Sequence, residues 1–254
     1  MDQAAYIAGI TADSAALAEA AAGHLDEKVP ACPEWTVADL VGHMGGVYGW
    51  VSAILATGGA RPTAGFSEPP ADRDGLLDWY GQVRDQLVAD LASHRPEDPA
   101  WVFVPSAPQN AGWWCRRQAL ESAVHRYDAQ AAVARAASAE PASGKPGSLD
   151  PVLAAEGIDE YLTGLLPRMA RNQPIEGMTG TFHVHTTDTD GEWSLDFDAE
   201  GLAVRHEHSK ADTAVRGPAS DLYLWMLNRQ TAEEGGLEVF GTASVVSAWR
   251  NLRF

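Results

Sequence analysis

The sequence predicts an α+β protein, with a helical domain over residues 1–175 and a small α+β domain over residues 176–254. Three observations predict it. Apolar residues recur at steps of three and four through the first two thirds of the chain. After about residue 180 the period drops to two. Stretches rich in Pro, Gly and Asp mark the element ends.

The first helix runs from about Gln3 to His24, with Ala4, Ile7, Ile10, Leu17 and Ala21 at helical spacing. Val29-Pro30-Ala31-Cys32-Pro33 cannot continue it, because each proline removes a backbone donor and clashes with the preceding turn. A second helix starts at Thr36, a good N-cap, with Asp39 placing a carboxylate at its positive end. Leu40, Met44, Val47, Val51 and Ile54 form its packing face, and His43 sits at the edge of that face. Gly45-Gly46 costs helix propensity, about 1 kcal/mol per glycine; the pair either permits another helix or a ligand to approach closely or is simply tolerated at the surface. Residues 57–74 read as a loop. Leu76, Leu77, Tyr80, Val83, Leu87 and Leu91 define a third helix. His94 to Asn110 forms a second long loop, of a length that often borders a binding site. Trp113-Trp114-Cys115 opens a fourth helix that runs to about Ala137.

Ala139 to Ser148 is a Pro/Gly/Ser spacer. Asp150-Pro151 has the form of an N-cap followed by proline at the first helical position, starting a fifth helix through Met169. Asn172-Gln173-Pro174 ends it. Residues 180–185, 191–197 and 202–208 alternate as three strands. Pro218 to Arg229 returns to a helical period, Leu237 to Gly241 is a short strand, and Ala243 to Leu252 a closing helix. There is no internal repeat.

Composition narrows the function classes. Hydrophobic residues make up 45% and charged residues 21%, as in a globular protein with ample core. No apolar run reaches the roughly 18 residues that a membrane span needs. The N-terminus lacks the basic start and apolar run of a signal peptide, so a cytoplasmic protein is expected. The net charge of −17 and pI near 4.7 argue against nucleic acid or an anionic membrane as partner, since both require basic patches. An anionic small substrate stays open, because one arginine dominates within a Debye length of roughly 8 Å. Cys32 and Cys115 have no zinc-knuckle or redox spacing and are expected as reduced thiols. Cys32 is expected to serve packing.

The chemistry candidates begin on the fourth helix. Glu121 and His125 are four residues apart and share a face, beside an apolar stripe of Leu120, Val124 and Tyr127. Such a pair is usually a favourable helix contact worth a few tenths of a kcal/mol. His43 from the second helix completes a set of two imidazoles and one carboxylate. That set suits Zn²⁺ or another first-row divalent ion and leaves positions open for water or substrate. His183, His185, His206 and His208 also alternate along two strands and suggest a second metal site, although solvated strand faces are the commoner setting for such histidines. Trp35, Trp113 and Trp114 are expected in the core or a cavity wall.

The segment from Val29 to His43, with Cys32-Pro33-Glu34-Trp35-Thr36 at its centre, resembles the start of the second helix in the mycothiol-dependent maleylpyruvate isomerase family, a branch of the DinB-like metal-binding four-helix bundles. Residues 121–128 resemble the family's second motif. Residues 150–162 and 215–229 extend the resemblance over nearly the whole chain. It implies a DinB-like bundle at residues 1–175 and the family's C-terminal domain at 176–254. It also implies a divalent metal, Zn²⁺ by preference, held by His43, Glu121 and His125 in a cavity. A low-molecular-weight thiol, mycothiol or similar, would be cosubstrate, in isomerisation of maleylpyruvate or in S-transfer to a small electrophile. The implied chemistry is attack by a metal-activated thiolate on an electrophilic carbon. Rotation and elimination follow in an isomerase, whereas the adduct is the product of a transferase. The resemblance further assigns Asp128 to support or proton handling near the metal. It gives Arg229, with Arg216 second, to an anionic substrate or developing enolate. Asn228-Arg229 stands where Gly-Arg is more usual in the family. The alternatives on the same scaffold are a non-catalytic metal- or small-ligand-binding protein and a hydrolase that activates water. A monomer or small homo-oligomer is expected.

Overall fold

The computed structural model describes residues 1–63, 65–137, 146–172, 178–198, 201–241 and 243–252. The chain forms two compact units, Met1–Gly147 and Ser148–Phe254. The α+β class holds, with four long helices in the first unit and a mixed sheet with short helices in the second. Most of the expected spacer at 139–148, up to residue 145, and the expected boundary near residue 175 lie outside the described residues. The contacts divide the chain earlier, because the helix that starts at Pro151 packs with the sheet unit.

In the first unit, α1 (Gln3–Ala21), α2 (Val37–Ala56), α3 (Leu76–Ser93) and α4 (Ala111–Ala137) form a four-helix bundle. Ile10, Leu17, Leu40, Met44, Tyr48, Tyr80 and Leu120 are fully buried at its centre. Asp2 caps α1 by accepting from the Ala5 amide. At α2 the expected cap is a full capping box, in which Thr36 Oγ1 accepts from the Asp39 amide and Asp39 Oδ2 accepts from the Thr36 amide. Tyr48 OH donates to Ser122 Oγ at 2.7 Å, and Ser122 Oγ donates to the Gln118 carbonyl, which ties α2 to α4 through a buried chain.

The paired glycines of α2 serve close approach. A Cβ on Gly45 would clash with the edge of the Trp79 ring of α3, and one on Gly46 would meet the Ser67 carbonyl at 3.0 Å. Ser67 donates its amide to the Gly46 carbonyl, so the loop after α2 lies directly on the helix.

The second unit opens with α5 (Pro151–Glu160), capped by Asp150 through the Leu153 amide. A π-helical turn at Tyr161–Leu165 leads into α6 (Leu166–Asn172). The sheet comprises β1 (Gly180–Thr186), β2 (Glu192–Asp198), β3 (Gly201–Arg205), β4 (Thr213–Gly217) and β5 (Glu238–Gly241). Its order is β3-β2-β1-β4-β5, with β1 and β4 parallel and the other pairs antiparallel. Phe182, Val184, Trp193, Leu195 and Val215 are buried on one face. There Phe182 stacks on Trp225 of α7 (Ala219–Met226) and on Trp249 of α8 (Ala243–Trp249), with centroids 6.4 and 5.4 Å apart. β4 was not foreseen as a strand, and β3 stops at Arg205, short of the His206–His208 stretch. Asn228 has φ 60° just after α7. Its amide donates to the Trp225 carbonyl and that of Arg229 to Leu224, the pairing of a Schellman cap. Such a cap requires the left-handed conformation, which asparagine tolerates best after glycine.

Candidate functional site

The site in the bundle is built on α4. Arg117, Glu121 and His125 follow at intervals of four, so they line one ridge of the helix. Glu121 Oε1 takes an ion pair from Arg117, and its Oε2 lies 3.3 Å from His125 Nε2. His125 Nδ1 is hydrogen-bonded to Asp128 Oδ2 at 2.9 Å, and Asp128 is 1% exposed. Across from α4, α2 brings His43 to His125, with ring centroids 5.4 Å apart and planes at 78°. Trp35 lies against the other side of His43 at 4.9 Å, and Phe66 meets its edge at 6.0 Å.

Electrostatics differ sharply across this group. Burial lowers the His43 pKa to about 4, helped by the neighbouring His125 charge and opposed by Glu121, so its imidazole is neutral with a lone pair to give. At Glu121 burial favours the neutral acid, but the Arg117 charge and the His125 contact outweigh it and hold the carboxyl far below the usual range. Burial likewise opposes charge on His125, yet its bonds to Asp128 and Glu121 raise its pKa above the ordinary imidazole value.

A cavity of about 750 Å³ opens beside α2, and of the three expected ligands His43 lines it. Its walls include Trp35, Phe66, Pro69 and Leu76, so the loop after α2 closes one side. The loop between α3 and α4 borders a different, smaller cavity of about 360 Å³ near Trp113 and Arg116. Trp113 and Trp114 are core residues, and Trp114 Nε1 donates to the Trp101 carbonyl at 2.7 Å.

The donor set fits a borderline divalent cation. Tying Nδ1 of His125 to a carboxylate leaves Nε2 as the ligand atom and fixes the ring, the usual support for a metal-bound histidine. Glu121 keeps one oxygen free of Arg117. The spacing is looser than that of a preformed centre, however. Among the described residues, the three side chains whose donor atoms all lie within 4.8 Å of one another are His183, Glu192 and His208.

The structure therefore brings His43, Glu121, His125 and Asp128 together in the first unit. Arg229 and Arg216 belong to the second, where Arg229 Nη1 donates to the Leu227 carbonyl at 2.8 Å and Arg216 lies 3.8 Å from Glu238. Sequence reasoning missed Arg117, although one further step of four back from Glu121 would have found it. It also gave no hint that Trp35 flanks His43.

A four-helix bundle that gathers two imidazoles and a carboxylate, with one of the imidazoles lining a cavity, and a small mixed sheet unit in the same chain together define a two-unit α+β protein. Residues 7–130 match the mycothiol maleylpyruvate isomerase N-terminal domain, and residues 152–248 match the MDMPI C-terminal domain. The chain belongs to the mycothiol-dependent maleylpyruvate isomerase family. The crystal structure of a mycothiol-dependent maleylpyruvate isomerase superposes with a TM-score of 0.58 at 8% identity, covering 89% of this chain and 88% of that one. A histidine-to-alanine mutant of such an isomerase gives the same values. At that identity the likeness is one of fold. No curated protein sequence matches the chain.

Proposed function

We propose that the protein is a metal-dependent enzyme that uses a low-molecular-weight thiol, mycothiol or a close equivalent, as cosubstrate. It would add the thiol to a small electrophile, as in a maleylpyruvate-type isomerisation or an S-transfer. The convergence of His43, Glu121 and His125 from two helices, with His43 opening onto the cavity, carries this reading.

When bound, a divalent cation such as Zn²⁺ would lower the pKa of a coordinated thiol and supply thiolate near neutral pH. The chain's own residues prepare that chemistry. Asp128 fixes the His125 tautomer, and Arg117 orients Glu121. Trp35 and Phe66 flank His43 with aromatic surface. The protein's own sulfur is poorly suited to the nucleophile's role. Burial pushes the Cys115 thiol up to about 11, where it stays protonated, and Cys32 does not line the cavity. A thiol brought by a cosubstrate fits better.

The test compares the wild-type protein with His43→Ala, with and without mycothiol, on an α,β-unsaturated keto acid such as maleylpyruvate. Thiol-dependent turnover in the wild type and its loss by at least 100-fold in the variant, with unchanged circular dichroism, is the expected result. Full activity in His43→Ala would refute the ligand assignment. Turnover that is indifferent to the thiol would point to hydrolysis.

A further inference from the structure

The polar face of the sheet carries a cluster that the bundle site does not use. His183 and His185 stand two apart on β1 and so share a face. The β1–β2 register sets His185 opposite Glu192 and His183 opposite Ser194. Ser194 Oγ donates to the Glu207 carbonyl at 2.9 Å and lies 2.7 Å from Ser209 Oγ. These bonds pin the segment after β3 back over the sheet. They bring His208 onto His183 edge to face, with ring centroids 5.3 Å apart. Both His208 Nδ1 and His185 Nδ1 converge on Glu192 Oε1, at 3.1 and 3.3 Å.

Two independent observations point to a cation. The donor atoms of His183, Glu192 and His208 all lie within 4.8 Å of one another. His183 is only 6% exposed, and its Nε2 is buried without a hydrogen-bond partner. A ring nitrogen stripped of water and left unpaired is costly, and a bond to a metal removes that cost. Solvation of alternating strand histidines does not describe His183, because the returning segment covers it.

We propose that His183, Glu192 and His208 form a second divalent metal site, on the sheet unit, with His185 holding Glu192 in position. Two imidazoles and one carboxylate select a borderline ion of the zinc class over Mg²⁺ or Ca²⁺, which favour oxygen ligands. A tetrahedral centre with bonds of about 2.0–2.1 Å needs donors about 3.4 Å apart. The contraction falls mainly on His208, whose side chain is 75% exposed, against 28% for Glu192. The ion would fasten the segment beyond β3 to β1 and β2, so its first consequence is stability of this unit.

The test uses the full chain. Zn²⁺ binding is measured by isothermal titration in the His43→Ala protein, which lacks an imidazole of the bundle site, and again with His208→Gln added. The expected result is one equivalent bound by His43→Ala, weakened at least 10-fold by His208→Gln, with Zn²⁺ raising Tm in the first protein and not in the second. Because the His208 side chain is exposed, its replacement leaves the fold intact, which circular dichroism verifies. Equal zinc affinity in the two proteins overturns the proposal, as does an absence of zinc binding in His43→Ala.

Discussion

His125 sits between two carboxylates, and each does something different to it. Glu121 faces Nε2 at 3.3 Å and shares the side where a ligand would bind, whereas Asp128 takes Nδ1 at 2.9 Å from behind. Asp128→Asn keeps the shape and an acceptor oxygen but removes the charge that makes His125 a strong donor. Metal affinity of the bundle site should fall about 10–100-fold, with little change in secondary structure. Chelator competition in a His208→Gln background, where the sheet-face histidines no longer interfere, reads this out, and unchanged affinity would leave Asp128 without a role there. Glu121 and His125 follow from helical spacing, His43 was offered by its residue type on another helix, and Asp128 entered only through the family resemblance. Trp35 was not foreseen beside them. Its place beside His43 depends on the turn from Val29 to Thr36, which is held by backbone bonds such as Val29 to the Trp35 carbonyl, and no spacing rule encodes such a turn.

Elements were legible where local signals were strong. α2 is the clearest case, since its Thr36 cap, the carboxylate of Asp39 at its positive end and its apolar ridge could each be read directly, whereas the role of its glycine pair could not. Hydrogen bonds from Thr36, first that of its backbone amide, lower the Asp39 pKa below its ordinary 3.8. Because the folded carboxyl titrates below the unfolded one, its contribution is present above pH 3.8 and is lost as pH falls through the folded value. Wild type should thus exceed Asp39→Asn in stability at pH 7, by about 1 kcal/mol on the scale of capping contacts, and the gap should close below pH 3.8. Urea unfolding of both proteins across that range checks it, and a gap independent of pH would rule out the ionised box. β4 escaped notice for the opposite reason. Thr213–Gly217 is five residues with one large apolar side chain, and its pairing with β1 and β5 is set by distant partners rather than by its own pattern. The histidines near β3 were misplaced similarly, since the strand ends at Arg205 and the returning segment is fixed by Ser194.

For the whole molecule, the change of period near residue 180 was a sound guide to fold class and a poor guide to where the units part. α5 reads as one more amphipathic helix, and periodicity cannot say which neighbour an apolar face will meet. The contacts answer that. Leu153, Ile158, Tyr161 and Leu162 are buried, and Tyr161 stacks on Trp249 at 5.9 Å. Trp193 Nε1 of β2 donates to Asp159 at 3.0 Å, and the Leu149 amide donates to Ser220 Oγ of α7. Cutting the chain at residue 176 would strip those partners from the sheet. It would expose Trp249 and Trp225, each costing about 25 cal/mol per Å² of newly wetted apolar surface, and would leave Ser220 and Trp193 without their bonds. A fragment of residues 148–254 should therefore be soluble and unfold cooperatively, whereas 176–254 should aggregate or bind a hydrophobic dye strongly. Expression of the two fragments side by side decides the matter. If the shorter piece proves equally soluble and cooperative, α5 contributes nothing essential to this unit and the division belongs nearer residue 175.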